Sequence, residues 1–127
     1  MEPVKFTFEY LFRASPAILY KFLSTPDCLI RWFCDEADVT GSQFVFTWDG
    51  NEEIAILIDK KENEMLRFKW EDAETDDEYL EYSMSISEMT RETILLVTGF
   101  CEDESEIEDQ RQLWETQIKR LRQATGG

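Results

Sequence analysis

The stretch SPAILYKFLSTPDCLIRWFCD, residues 15–35, contains two helix-start signals in close succession. In Ser15-Pro16 and again in Thr25-Pro26, a hydroxyl side chain that can cap a helix precedes a proline at the first helical position, where its missing N–H costs nothing. The first helix must end before Pro26, because proline interrupts a helix. The sequence therefore predicts two short helices whose apolar sides share a core, with these members: Ile18, Leu19, Phe22, Leu23, Leu29, Ile30, Trp32 and Phe33.

The chain on either side of these helices is predicted to form β-strands. Apolar side chains recur at every second position of residues 4–12, as in a half-buried strand. Asp49-Gly50 between two apolar runs predicts a tight hairpin, and the nearly continuous apolar run 93–100 predicts an interior strand. Further strands are predicted over 43–48, 52–60, 65–70 and 79–87, and loops over 34–42 (CDEADVTGS) and 71–78 (EDAETDDE).

The last segment changes to a helical period. Ser105 followed by Glu108 predicts a capping box, and apolar residues at helical spacing share one face: Ile107, Trp114, Ile118 and Leu121. One long helix over about residues 105–123 follows. The complete order is β-α-α-β-β-β-β-β-α, which predicts an α+β fold in which about six strands form a curved antiparallel sheet and the C-terminal helix packs across it.

Composition narrows the classes of partner. A chain of 127 residues is expected to form a single domain, residues 1–127. Its net charge of −15 repels phosphate backbones and anionic headgroups, so we expect no nucleic-acid partner. The acidity instead indicates solubility, or a protein partner with a basic surface. The strand over 93–100 is apolar on both faces, which raises the prospect of a homodimer that covers one of them.

The reactive and metal-binding side chains are few. Histidine is absent, and three cysteines at irregular spacing, Cys28, Cys34 and Cys101, indicate free thiols of a reducing compartment. The acidic runs 71–78 and 102–109 lack the glycine and oxygen spacing of a calcium loop. We therefore expect no metal and no other cofactor. The N-terminal segment does not read as a signal peptide, and no apolar run predicts a membrane span, so we expect a soluble cytoplasmic protein.

The order of elements and several short motifs resemble the START-like superfamily, also described as SRPBCC or helix-grip domains and related in fold to the birch-pollen allergen. Within it, the chain is similar to the family of activators of the heat-shock chaperone ATPase. The motifs that carry this resemblance are Ser15-Pro16, Tyr20 and Phe22, Thr25-Pro26-Asp27, Arg31-Trp32-Phe33, and the helix from Trp114 to Leu121. Acidic residues in the 34–42 segment depart from the glycine-rich turn of many relatives.

The resemblance implies a cavity between the sheet and the C-terminal helix that holds a small hydrophobic ligand. Trp70 and Trp114 are the favoured wall residues, because a buried indole N–H needs a polar partner. Aromatic side chains also pack as ordinary core, so a filled interior is the alternative. The predicted lining comprises Trp32, Phe33, Phe46, Trp48, Phe68, Trp70, Tyr82, Trp114, Ile118 and Leu121.

Three functions stay open at this point. The first is a non-enzymatic domain that binds a small hydrophobic or lipid ligand, and the second is a chaperone-regulating or other protein-interaction module. The third is a cyclase-like or hydrolase-like enzyme, which needs an acid or tyrosine inside the cavity. Glu9 and Glu81 fall on the polar faces of their strands, and no catalytic residue is predicted unless Tyr10, Tyr82 and Arg67 form a polar cluster. The residues favour a protein that is not an enzyme.

Overall fold

The computed structural model describes residues 3–73 and 77–126, so part of the acidic loop 71–78 lies outside the described residues. One antiparallel sheet, two short N-terminal helices and one long C-terminal helix make up the fold. The strands are β1 Val4–Phe12, β2 Glu36–Thr40, β3 Gln43–Trp48, β4 Asn51–Lys61, β5 Met65–Trp70, β6 Leu80–Ile86 and β7 Thr93–Cys101. The helices are α1 Pro16–Ser24, α2 Pro26–Leu29 and α3 Ile107–Thr125.

Both N-terminal helices begin where the sequence predicts. The Ser15 hydroxyl accepts a hydrogen bond from the Ile18 N–H at 3.3 Å, and Pro16 occupies the start of α1. Thr25 is extended, as expected for a residue before proline, and this ends α1. Helix α2 has only four residues, so Trp32 follows it in a turn rather than within a second helical stripe. There its indole N–H donates to the Phe22 carbonyl at 2.9 Å and ties this turn to α1.

The sheet has seven strands in the order β1-β7-β6-β5-β4-β3-β2, one more than the sequence analysis predicted. The additional strand is β2, in the segment 34–42 that was expected to be a loop. Ala37 and Val39 alternate with acidic residues there, and Gly41, with φ of 60°, leads a two-residue turn into β3. Because this segment is rich in acidic residues, it was predicted to be a loop and the alternation was not recognised. Gly41-Ser42 is a hairpin turn that the prediction also missed.

The other strands keep their predicted pairing and faces. Strand β7 lies between β1 and β6, as expected for an apolar run. Asp49 and Gly50, both at positive φ, form the predicted turn between β3 and β4. Alternate residues of β5 and β6, such as Phe68 and Tyr82, are buried beneath the helices. Their neighbours Arg67 and Glu81 are joined on the opposite face by a hydrogen bond of 2.7 Å.

Helix α3 follows a short 3-10 turn, Glu104–Glu106. The capping box lies two residues before the predicted one: Asp103 accepts from the Ser105 N–H at 3.0 Å, and Glu106 accepts from the Asp103 N–H at 2.8 Å. Aspartate caps a helix as well as serine does. The acidic run 102–109 therefore contains two positions at which a capping box can begin, Asp103 and Ser105. The helix packs against β1 and α1 and buries three side chains: Trp114, Ile118 and Leu121. In the described residues, no helix has the length and hydropathy needed to cross a membrane.

The hydrogen bond between Trp32 and Phe22 gives the first test. Trp32→Phe removes the indole donor and leaves a buried carbonyl without its partner. We expect the free energy of unfolding to fall by about 1–3 kcal/mol in urea denaturation. Trp70→Phe is the control, because the Trp70 indole N–H donates to none of the described residues. Equal losses in the two variants would contradict a specific role for the bond.

Candidate functional site

A cleft of about 920 Å³, open to solvent at its mouth, separates α3 from one end of the sheet. This end carries the turn between β3 and β4, the start of β6 and the end of β7. Helix α3 contributes one wall, formed by Gln110, Leu113, Trp114, Thr116, Gln117 and Arg120. The opposite wall is mainly aromatic and includes the rings of Phe6, Phe33, Trp48 and Trp70. Tyr79 and Phe100 also border the cleft, but their rings pack on each other and under Arg67 on the outer face of the sheet. The volume of the cleft falls within the range of small-molecule sites.

The aromatic wall is held in place by contacts between rings. Phe33 packs edge-on against Trp48, with ring centroids 5.2 Å apart, and stacks on Trp114 at 6.3 Å. Trp48 contacts Trp70 at 6.4 Å. The Trp48 indole N–H also donates to the Phe33 carbonyl at 2.6 Å, which fixes the ring relative to the turn after α2. These contacts hold the rings of the wall in fixed positions, and an ordered wall lowers the entropic cost of binding a ligand.

Close packing of Phe6 on Gly99 shapes one corner of the cleft. The two residues face each other across β1 and β7, and a Cβ at Gly99 would lie 2.6 Å from the Phe6 ring. Phe6 also stacks on Phe8 with ring centroids 4.7 Å apart. Glycine at this position thus allows the far edge of the Phe6 ring to approach the backbone of β7 closely.

Behind the aromatic wall the interior is filled. A second space, lined by Phe46, Phe68, Tyr82 and neighbouring aliphatic side chains, has no room for a water molecule. Phe33 and Trp70 border both this space and the cleft, so they separate the two. Burial raises the pKa of the Tyr82 hydroxyl, which stays protonated at neutral pH. Of these two spaces, the one at the open end of the sheet is therefore the candidate binding volume.

The ten predicted lining residues divide into three groups. Phe33, Trp48, Trp70 and Trp114 line the cleft. Phe46, Phe68 and Tyr82 surround the closed space, with Phe33 and Trp70 at its border. Trp32, Ile118 and Leu121 are buried in the core and line neither.

Several cleft residues were not among the predicted lining. Phe6, Tyr79, Phe100 and Leu113 belong to this group. The inward phase of Phe6 in its strand was the available sequence signal for that residue. Leu113 is 54% exposed and lies beside the buried face of α3. Sequence periodicity gives the face of each residue but not the end of the sheet at which a cleft opens.

The conditional polar cluster of Tyr10, Tyr82 and Arg67 does not form. Arg67 binds Glu81 on the outer face, and Tyr82 lies in the closed interior. The Tyr10 hydroxyl is buried without a hydrogen-bond partner, and burial together with Glu115 raises its pKa. Burial, with a contribution from Asp35, raises the pKa of the Cys34 thiol to about 11, so this thiol is a poor nucleophile at neutral pH.

These features define a class of protein: an α+β domain in which a C-terminal helix grips an antiparallel sheet beside a cleft with aromatic walls. The family model described as START-like superfamily domain matches residues 1–127. The chain belongs to the START-like superfamily. Among curated proteins, none matches the chain closely enough to count as a relative.

Solved structures show the same fold. Protein BfR322 from Bacteroides fragilis is 32% identical, with a TM-score of 0.70, over 97% of this chain and 91% of that chain. The Aha1 dimer from Colwellia psychrerythraea is 17% identical, with a TM-score of 0.80, over 96% of each chain. Protein MLL2253 from Mesorhizobium loti is 18% identical, with a TM-score of 0.77, over 95% of this chain and 96% of that chain.

The contact between Phe6 and Gly99 gives the second test. Gly99→Ala should destabilise the protein by about 1–3 kcal/mol, because the added methyl group must displace a packed ring. Phe6→Leu removes the ring atoms nearest to that methyl group, so the double variant should lose less stability than the sum of the single losses. Chemical denaturation of the four proteins measures this coupling. Additive losses would show that the ring does not depend on the glycine.

Proposed function

We propose that this protein is a non-enzymatic binding domain that holds a small hydrophobic ligand in the cleft between the sheet and α3. The observation that carries the proposal is the cleft of about 920 Å³ with preformed aromatic walls. Members of the START-like superfamily commonly bind hydrophobic ligands, which supports it. A cleft of this volume can bury most of a small molecule, and its rings offer a large apolar contact area.

Unpaired indole donors support the same proposal. The N–H groups of Trp70 and Trp114, both on cleft walls, have no hydrogen-bond partner among the described residues. A ligand with a single acceptor could satisfy one of them while its apolar body contacts the rings. This arrangement, a mainly apolar site with few polar groups, is the usual composition of small-molecule pockets.

An enzymatic function is less well supported. A cyclase or hydrolase site of the kind considered needs a titratable group that is enclosed together with the substrate, where burial shifts its pKa toward neutrality. The carboxylates of this cleft instead lie at its open mouth. Tyr82, whose pKa burial raises, lies in the closed interior and not on the cleft. Cys34 is buried and does not line the cleft.

A second candidate function is a chaperone-regulating or other protein-interaction module. The net charge of −15 favours a partner with a basic surface, and the related fold of the Colwellia Aha1 dimer is consistent with a protein-binding role. A pull-down at low ionic strength that retains a basic partner, and loses it in high salt, would favour this function. Sedimentation velocity tests the homodimer in the same preparations.

A cytoplasmic location is supported by three buried cysteines that form no disulfide.

Blocking the cleft tests ligand binding directly. The uncharged fluorescent probe N-phenylnaphthylamine should bind the wild type and brighten as it leaves water. Gln117→Trp places a large ring in the cleft and should weaken binding at least about tenfold, a loss of about 1.4 kcal/mol. Gln112→Trp is the matched control, because Gln112 lies on the same helix, is exposed and does not line the cleft. No binding by the wild type, or equal weakening in both variants, would overturn the proposal.

A further inference from the structure

The mouth of the cleft is strongly acidic. Its described lining includes five carboxylate side chains, contributed by Asp49, Glu53, Asp72, Glu78 and Glu102. Arg120 on α3 is the single basic side chain in that described lining. The whole chain has 28 acidic and 13 basic residues, a ratio of about two to one, so the cleft is more acidic than the surface as a whole.

These carboxylates converge from separate parts of the sheet. Asp49 lies in the turn after β3, Glu53 in β4, Asp72 after β5 and Glu102 after β7. Like charges brought together in this way repel one another, which destabilises the folded state unless something compensates. The positions come from three separate stretches of the chain, 49–53, 72–78 and 102, so the fold and not one acidic run produces the charge concentration.

Acidic residues with a structural role are recognisable elsewhere in the molecule. Asp35 accepts a hydrogen bond from the Asp49 N–H at 2.8 Å, and Asp103 caps the turn before α3. Glu81 pairs with Arg67. Among the described residues, the side chains of Glu53, Asp72 and Glu102 make no such contact. Their placement around an aromatic cleft is therefore not explained by capping or ion pairing.

We propose that the ligand of the cleft is an organic cation: an apolar, preferably aromatic, body that carries a protonated amine. This inference rests on the proposed ligand-binding function and adds the charge of the ligand. The aromatic faces attract a cation through their quadrupoles, and the carboxylates attract it from the rim. The same carboxylates repel fatty acids and other anionic amphiphiles. The cleft is thus an unsuitable site for a carboxylate or phosphate ligand.

Two cations lie near the Tyr79 ring on the outer face of the sheet, so they do not neutralise the cleft. The guanidinium of Arg67 is 4.5 Å from the Tyr79 ring centroid, and the Lys5 amine is 6.0 Å from it. Arg67 is paired with Glu81, and neither Arg67 nor Lys5 lines the cleft.

Three probes with the same apolar body separate the charge preference from binding itself. Isothermal titration calorimetry at low ionic strength compares naphthylethylamine, naphthylethanol and naphthylacetate. We expect the amine to bind tightest and at least about tenfold more tightly than the carboxylate, with the difference shrinking as salt screens the rim. If the alcohol binds as tightly as the amine, the charge preference is wrong while ligand binding stands. If none of the three binds, the proposed function fails with it.

Neutral substitutions at the rim test which carboxylates matter. The triple variant Glu53→Gln, Asp72→Asn and Glu102→Gln removes three charges at the cleft. It should weaken amine binding at least about threefold and leave binding of the alcohol unchanged. The control is Glu62→Gln, Glu88→Gln and Glu92→Gln, which removes three charges at the turns of the opposite end of the sheet.

The control should bind all three probes as the wild type does. Equal loss of amine binding in the two triple variants would mean that net charge alone acts, and would overturn the role of the rim. Loss of amine and alcohol binding together in the rim variant would overturn it as well, since a structural effect would then explain both. Thermal unfolding of each variant establishes that it is folded. The salt dependence of the wild type's preference tests the same inference without any substitution.

Discussion

The packing of Phe33 is the contact on which the arrangement of helices, sheet and cleft depends. Its ring lies edge-on to Phe46 and Trp48, at 5.0 Å and 5.2 Å, and stacks on Trp114 at 6.3 Å. The N-terminal helical segment, the sheet and α3 therefore meet at one side chain. Trp32 beside it fixes the backbone by bonding the Phe22 carbonyl. Because these two neighbours hold three elements together, the turn after α2 is a structural requirement, since it places both rings in the core.

The position of the cleft follows from the partial coverage that α3 provides. The helix packs against β1 and α1 and buries Trp114, Ile118 and Leu121 along one stripe. Leu113, on the flank of that stripe, stays 54% exposed and borders the cleft. Phe46, Phe68 and Tyr82 fill the centre of the sheet with large rings, so no water fits there. Beside the described residues of the sheet, the space that α3 leaves open therefore lies at one end of the sheet.

Sequence reasoning succeeded where a local physical rule acts and failed where geometry between distant residues decides. The proline pairs Ser15-Pro16 and Thr25-Pro26 fixed both helix starts, and strand alternation gave the inward faces correctly. Strand β2 was missed because acidic residues surround Ala37 and Val39, and the helix cap was misplaced within an acidic run. The residues that meet at the cleft mouth come from different strands, and nothing in their local sequence shows that they converge.

An open cleft and an enclosed cavity select ligands by different means. In an enclosed cavity nearly all of the ligand surface leaves water, so apolar area dominates affinity. At an open mouth, part of the ligand stays solvated and the apolar contribution is smaller, while charges at the rim still act over about a Debye length, roughly 8–10 Å. In the proposed function, five carboxylates at such a mouth therefore govern which ligands approach, and the aromatic wall governs which of them stay. Selectivity by charge fits the filled core, because that filling leaves the cleft at the end of the sheet where these carboxylates lie.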